Sequence, residues 1–381
     1  MNFFIILILK MYLQNLSVTN FKNYKEASLV FSEKINCFVG NNGAGKTNLL
    51  DAIHYLSFCK SYFNLLDSQN IKHDTGFFVI QGSFLKSDNT DDIYCGLKRN
   101  QKKIFKINKK EYDRLADHIG LFPLVIISPS DYTLINEGSE IRRKYIDSVI
   151  SQFDKVYLDN LINYNKAIAQ RNSLLKDFFD KHFFDMTLLE IWDEQIIPLG
   201  ESIFKTRRSF LEEFIPIFKQ HYNFITNGKE EVDIEYESQL REGEFGDHIK
   251  HALDRDKMLK FSTVGIHKDD FIFNIAGYPI KKFGSQGQQK SYIIALKLSQ
   301  FDFTKNIKGY KPILLFDDIF DKLDNERVSK IMTLVSNNSF GQVFITDAHP
   351  ERIDAIFAKI ETEGKIFEVA NGTIDKERPI N

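Results

Sequence analysis

The sequence predicts an α/β fold interrupted by a helical insertion, and three observations carry that expectation. From Met11 to about Ser130 strand patterns dominate, with one helix following a glycine-rich loop. From about Ile141 to Ile225 the apolar residues recur at helical spacing, and after about Glu231 the alternation of strand and helix resumes. A chain of 381 residues, 43% hydrophobic and 27% charged, has ordinary globular composition and room for two or three domains. The expected division is 1–10 as a non-native or mis-called extension, 11–135 and 231–381 as two parts of one head, and 136–230 as an inserted helical arm.

The first stretch, "MNFFIILILK", has an apolar run from Phe3 to Leu9, far short of the ~20 residues that span a bilayer. It lacks a basic start and a small-residue cleavage site, so no signal peptide is expected, and Met11, which opens the alternating strand "MYLQNLSVTNF", is the expected start of translation. No membrane partner is expected, and the expected location is cytoplasmic. Cys37, Cys59 and Cys95 have no metal-ligand spacing, which suits a reducing compartment.

The strand-rich part contains "KINCFVG", "GFFVIQGSF" and "IFKINKK", all rich in β-branched and aromatic residues. In the arm, Ile146, Val149, Phe153, Leu158, Leu161 and Ile168 form one helical series. Leu188, Trp192, Ile196, Ile203, Leu211 and Phe214 form a second. "FFDKHFFDM" reads as their connection, and Pro198 and Pro216 as kinks.

Between "KINCFVG" and a helix "KTNLLDAIHYLSF" stands "GNNGAGKT", which fills every fixed position of G-x-x-x-x-G-K-[ST]. In that geometry the backbone of Gly40, Asn41, Asn42, Gly43, Ala44 and Gly45 and the helix start at Lys46, Thr47 and Asn48 surround the phosphates of a nucleoside triphosphate. Lys46 would reach the β- and γ-phosphates and the Thr47 hydroxyl would ligate Mg²⁺. A metal-organising carboxylate is then required at the end of a neighbouring strand. "KPILLFDDIF" supplies it: an apolar run buried on both faces, then Asp317 for Mg²⁺ through a water and Asp318 to orient or deprotonate the attacking water.

The loop at Gly40 and the carboxylates at Asp317 lie far apart in the chain, with the helical arm between them. ABC-type ATPases are built this way and carry a short signature before a helix. "SQGQQKSYIIALKLSQF" has that form, with Ser285, Gly287 and Gln288 before the apolar positions Ile294, Leu296 and Leu298. The predicted fold class is therefore α/β, an ABC-type (SMC-like) P-loop ATPase head with an inserted helical arm domain.

Several blocks together resemble the RecF family of recombination-mediator ATPases: "LQNLSVTNFKNYKEASLVF", the loop with its helix, "ISPSDYTLINEGSEIRRKYID", "GIHKDDFIFNIAGYPIKKFGSQGQQKS" and "LLFDDIFDKLD". The resemblance covers nearly everything from Met11 on. It implies a weak, DNA-stimulated ATPase using ATP and Mg²⁺, dimerising on gapped or single-strand/double-strand junction DNA. It further implies RecO and RecR as partners in loading RecA, and a place in recombination, replication and the SOS response. By that resemblance Ser285 acts in trans with Gly287 and Gln288, alongside Lys46 and Asp318, and Asp324 is the D-loop aspartate. His267 and Asp270 fall in a matching block without an assignable role.

Three departures are visible. Lys109 stands where the family pattern usually has glycine. Asp318 is one methylene shorter than the glutamate of transporters, as in the family. "VFITDAHP" leaves the γ-phosphate switch open between Asp347 and His349. Two other readings stay open: a transporter ATPase subunit, and a structural ATPase of SMC type, which needs sustained heptads that this chain lacks. The formal charge of −2 means that DNA contact needs a local basic face. The candidates are Lys98, Arg99, Lys102 and Lys103; Arg142, Arg143 and Lys144; and Lys205, Arg207 and Arg208, each of which also reads as a solvated face.

Overall fold

A computed structural model of the chain describes residues 10–320, 325–336, 339–358 and 362–380. In chain order the strands and helices begin with β1 (Met11–Phe21), β2 (Tyr24–Val30), β3 (Ile35–Val39), α1 (Lys46–Phe58), β4 (Phe77–Lys86) and β5 (Asn89–Lys98). There follow β6 (Ile104–Ile107), β7 (Lys110–Glu111), β8 (Leu124–Ile127), α2 (Thr133–Asn136), α3 (Ser139–Ser151), α4 (Lys155–Lys181) and α5 (Met186–Thr226). Then come β9 (Val232–Glu237), α6 (Phe245–Leu259), β10 (Asp270–Ile275), β11 (Tyr278–Pro279), α7 (Ile280–Phe283) and α8 (Gln286–Lys308). The last are β12 (Ile313–Phe316), α9 (Asn325–Ser336), β13 (Val343–Asp347), α10 (Pro350–Phe357), β14 (Gly364–Ala370) and β15 (Thr373–Pro379).

These elements form two compact units. Of the described residues, one unit contains those up to Tyr132, His221–Gly228 and those from Gln286 on; the other contains Thr133–Gln220 and Lys229–Ser285. The first unit holds two six-stranded sheets. The sheet β2-β1-β4-β5-β6-β7 is antiparallel throughout, and β1 alternates buried and half-buried residues as a strand packed on one face should. The other, β15-β14-β3-β13-β12-β8, is parallel except for the edge strand β15. Its strands β3, β12 and β13 are buried at every residue, which explains their unbroken apolar runs. Helix α1 packs on strands of both sheets, β4 and β13, and is therefore buried even at Asp51 and His54.

In the second unit α4 continues through Phe178–Lys181, so the segment expected as a connection is mostly helical and the turn is only His182 to Asp185. Pro198 and Pro216 both lie inside the single 41-residue helix α5, which they do not divide into separate elements. Two buried arginines organise this unit. Arg171 on α4 donates from Nε to Asp193 of α5 (2.6 Å) and from Nη1 to Asp256 of α6 (2.6 Å). Arg207 on α5 pairs with Asp147 of α3 (2.9 Å) and with Asp269 just before β10 (3.1 Å).

The departure at Lys109 has a definite outcome. Asn108 and Lys109 join β6 to β7 with φ of 49° and 70°, so the turn keeps the left-handed backbone that glycine would favour. A lysine there costs ~1–2 kcal/mol of steric strain.

Two histidines of the first unit are buried as neutral rings. His118 Nε2 donates to the Leu56 carbonyl (2.6 Å), and its Nδ1 accepts from the Tyr112 hydroxyl (3.0 Å). His54 lies flat on Phe58, with ring centroids 4.5 Å apart, and donates from Nδ1 to the Lys60 carbonyl (3.1 Å). Burial lowers both pKa values to about 4. An unfolded imidazole takes its proton near pH ~6.5, so below that the unfolded chain binds more protons than the native one. Stability should therefore fall on acidification from pH ~6.5 towards ~4, by ~1.4 kcal/mol per pH unit for each ring. Urea denaturation at several pH values across this window checks it; a midpoint that does not move would be incompatible with neutral buried rings.

Candidate nucleotide site

The parallel sheet brings three strand ends to one edge. β3 ends at Val39 and leads into the Gly40–Gly45 loop, and β12 ends at Phe316 and leads into Asp317 and Asp318. Between them runs β13, which ends with Thr346 and Asp347.

The loop needs glycine where the chain passes closest to other backbone. At Gly40, with φ 150°, a Cβ would fall 2.1 Å from the Val369 carbonyl oxygen; at Gly45, with φ 117°, it would strike the Asn23 side chain at 2.5 Å. Asn23, in the turn between β1 and β2, braces the loop. Its Nδ2 donates to the Ala44 carbonyl (3.0 Å), and its Oδ1 accepts from Asn48 Nδ2 (2.7 Å). The Tyr24 hydroxyl donates to the Gly45 carbonyl (3.1 Å). Lys46 opens α1 and donates from Nζ to the carbonyls of Gly40 (2.7 Å) and Asn41 (3.0 Å), which holds its ammonium over the concave side of the loop.

Across from the loop, Thr47 Oγ1 donates to Asp317 Oδ1 at 2.7 Å. The same carboxylate accepts from Thr346 Oγ1 (3.0 Å) and, on Oδ2, from Ser128 Oγ at the end of β8 (3.2 Å). Burial raises the Asp317 pKa, the Asp318 charge adds to the rise, and the Thr47, Thr346 and Ser128 hydroxyls oppose it. A hydroxyl and a carboxylate at this separation are the two hard oxygen donors that Mg²⁺ takes from a protein when phosphates and water complete its shell. The donor set fits that ion.

Asp318 has φ 44°, an uncommon left-handed conformation for a non-glycine residue. Its backbone N–H donates to Thr346 Oγ1 (2.9 Å), and that hydroxyl also stands 3.4 Å from Asp318 Oδ1. Thr346 thus touches both acids. The next residue, Asp347, is committed elsewhere: Arg352 donates to both its oxygens (2.8 and 2.7 Å), and the His349 N–H donates to Oδ1 (2.7 Å). Asp347 therefore secures the start of α10, and His349, at the helix N-cap, is exposed.

The residues expected in the signature lie slightly differently from expectation. Helix α8 starts at Gln286, so Gly287 and Gln288 belong to its first turn, and only Ser285 precedes it. The Tyr132 hydroxyl donates to the Gln286 carbonyl (3.0 Å). Further along α8, the buried Lys297 pairs with Asp131 (2.7 Å), which accepts the Ser128 N–H (2.8 Å). Asp324 lies outside the described residues.

A family profile described as RecF/RecN/SMC N terminal domain matches residues 12–374. The DNA replication and repair protein RecF of Flavobacterium johnsoniae is 56% identical over 357 residues, covering 94% of this chain and 99% of that protein. Its counterpart in Phocaeicola vulgatus is 52% identical over 371 residues, covering 97% and 99%. The chain belongs to the RecF family. A solved structure of the recombination mediator protein RecF with ATP, from the RecFOR pathway, is 32% identical with a TM-score of 0.87, covering 98% of both chains. An SMC head domain from Pyrococcus furiosus, 18% identical with a TM-score of 0.56 and covering 97% and 96%, shares the fold. The ABC-type, SMC-like head is thus the fold of this RecF-family chain.

Four of the ten residues in the basic clusters are engaged within the fold. Lys103 is tied to Asp67 (2.6 Å) and to the Cys59 carbonyl (2.5 Å). Arg142 makes a two-pronged pair with Asp270 (2.8 Å for each bond), Arg143 donates to the Asp269 carbonyl (2.5 Å), and Arg207 is buried. These side chains hold the fold. Lys98, Arg99, Lys102, Lys144, Lys205 and Arg208 remain exposed; Lys144 is paired with Glu140, and Arg208 lies 3.7 Å from Glu212. The block at His267 and Asp270 is likewise structural: His267 Nδ1 bonds the Tyr164 hydroxyl (2.9 Å), and Asp270 holds Arg142. Conversely, Asn23, Ser128 and Thr346 carry no motif of their own and emerge only from the contacts. Thr346 tests the arrangement. Thr346→Val should cost ~1–3 kcal/mol in urea denaturation by leaving the Asp318 amide without its acceptor, and Thr346→Ser should restore most of it. A loss in Thr346→Ser with none in Thr346→Val would mean the methyl, not the hydroxyl, matters.

Proposed function

We propose that this chain is an ATP-dependent DNA-binding protein of recombinational repair and replication-fork maintenance. The observation that supports the reading is the Thr47 Oγ1–Asp317 Oδ1 hydrogen bond of 2.7 Å, a hydroxyl and a carboxylate side by side next to the Gly40–Thr47 loop. The family relationship supports ATP as the nucleotide and DNA repair as the setting. In this reading the loop amides and Lys46 bind the β- and γ-phosphates, and Thr47 and Asp317 hold Mg²⁺. The ion, when bound, supplies charge neutralisation at the phosphate oxygens. Asp318 orients the attacking water and accepts its proton. Ser285, Gly287 and Gln288 at the start of α8 present a hydroxyl and helix amides to the γ-phosphate held by a second copy of the chain, and Asp324 keeps the D-loop role that the resemblance implies. ATP binding then drives dimerisation on gapped or junction DNA, and slow, DNA-stimulated hydrolysis releases it. RecR and RecO are the expected partner proteins, and the cytoplasm the expected location. The division into 1–10, 11–135, 136–230 and 231–381 belongs to the same proposal.

Among the described residues no helix is long and apolar enough to cross a membrane. A transporter subunit would instead dock on a membrane partner and would show no ATP-dependent affinity for DNA. Sedimentation with ATP, ADP or no nucleotide, repeated with gapped and duplex DNA, separates the readings. A monomer under every condition would overturn the proposal. Lys46→Ala should weaken ATP binding at least ~100-fold, equivalent to ~2.7 kcal/mol, and abolish ATP-dependent dimerisation with it. Ser285→Arg should leave ATP binding by the monomer within ~2-fold of the parent, less than ~0.5 kcal/mol, while blocking the dimer. Loss of nucleotide binding by the Ser285→Arg monomer would place that residue in its own chain's site instead.

A further inference from the structure

The turn between α4 and α5 and the end of α6 expose an unusual concentration of large apolar side chains. Phe183 is 57% exposed and Met258 74%, and Phe179, Phe184, Leu259 and Phe261 are exposed beside them in sequence. Monomer surfaces rarely gather so many without a purpose. The patch is concave. Leu175, Phe178, Phe183 and Phe184 wall a pocket of about 230 Å³, with Lys257 at its edge. That volume is below the ~300–1,000 Å³ of small-molecule sites, but it is of the size that receives a single anchoring side chain.

The chemistry of the rim decides between occupants. Lys257 Nζ stands 3.7 Å from the centroid of the Phe184 ring, and Lys260 Nζ stands 3.6 Å from that of Phe179. Asp256, next to Lys257, is buried on Arg171, the exposed pairs nearby are loose (Asp254 is 3.7 Å from Lys257, and Asp177 is 3.6 Å from Lys181), and no carboxylate is among the residues that line the pocket. Exposed pairs of this kind contribute little and exchange readily. Single-stranded nucleic acid would need open ring faces on which bases stack. Here Phe178 meets Phe183 and Phe184 edge to face, at 80° and 70°, so the rings form walls, and two of the outer faces are capped by ammonium groups. A pocket of aromatic walls with cations at its mouth complements an apolar side chain flanked by carboxylates.

We propose that this end of the helical unit is a docking site for an acidic linear segment of a partner protein. One phenylalanine or leucine of that segment enters the Leu175–Phe184 pocket, and its flanking aspartates or glutamates pair with Lys257 and Lys260. The site uses none of the residues assigned to nucleotide, so it goes beyond the reading above and does not depend on it.

Fluorescence anisotropy on the full chain tests this. The probes are labelled short peptides of aspartate and glutamate with phenylalanine, leucine or alanine at the centre, and a labelled oligo-dT strand. The phenylalanine and leucine peptides should bind at least ~10-fold more tightly than the alanine one, a difference of ~1.4 kcal/mol, and more weakly as salt rises. Lys257→Glu with Lys260→Glu, and separately Phe183→Ser, should each remove at least ~10-fold of that affinity with the thermal unfolding midpoint preserved. The two surface charge reversals keep the test decisive if Phe183→Ser does not fold. Equal binding of all three peptides, binding unaffected by the charge reversals, or no peptide binding overturns the proposal. Oligo-dT binding lost in the same variants would overturn it too, and would make the patch a nucleic-acid surface.

Discussion

One hydroxyl, Thr346 Oγ1, holds the arrangement at the sheet edge together. It receives the Asp318 amide and lies within reach of both adjacent carboxylates, so the left-handed turn after β12 is held by a strand that contributes no motif of its own. The constraint originates in strand order. Because β13 lies between β3 and β12, its last residues fill the space between the glycine loop and the acid pair. Its registers make the placement definite: Ile345 stands opposite Phe316 on one side, and Thr346 stands opposite Phe38 on the other. A left-handed aspartate costs ~1–3 kcal/mol when unsupported. A buried acceptor for its amide offsets a good part of that, since an unsatisfied buried donor would cost ~1–3 kcal/mol more.

The same logic extends outward from the site. Asp317 is kept buried by three hydroxyls from three directions, on α1, just after β8 and on β13. Ser128 connects onward through its amide to Asp131, and Asp131 to Lys297 on α8. Both members of that ion pair are buried, so each supplies the charge that makes burial of the other tolerable. The middle of α8 is therefore joined to the Asp317 carboxylate by a short chain of bonds, all within the first unit.

The second unit solves a different problem with the same chemistry. Its amphipathic helices leave buried positions at Arg171 and Arg207, and each guanidinium gathers aspartates from separate elements. Planar five-donor groups suit this role, because one side chain can bond two or three acceptors in fixed directions. Arg207 sits beside Lys205 and Arg208 in sequence and looks there like part of a basic stripe. On a helix, however, adjacent residues point in different directions, and only the fold reveals that one points inward.

Much of the molecule is legible in the sequence because its chemistry demands fixed residue types at fixed spacing. A loop in which a Cβ at position 40 would stand 2.1 Å from the Val369 carbonyl oxygen can use only glycine there. A strand buried on both faces and ending in Asp317 and Asp318 is visible as a run of apolar residues followed by acids. The turn at Asn108 and Lys109 is legible as a turn, although its left-handed lysine breaks the usual preference. Such features are local, so amino-acid sequence alone determined the loop, the paired carboxylates, the fold class and the family. Strand order, the hydroxyls of Thr346 and Ser128, the bracing by Asn23 and the inward turn of Arg142 and Arg207 were decided only by tertiary structure. These depend on residues far apart in the chain meeting in space, and threonine, serine, asparagine and arginine carry no local pattern that announces which partner they will find.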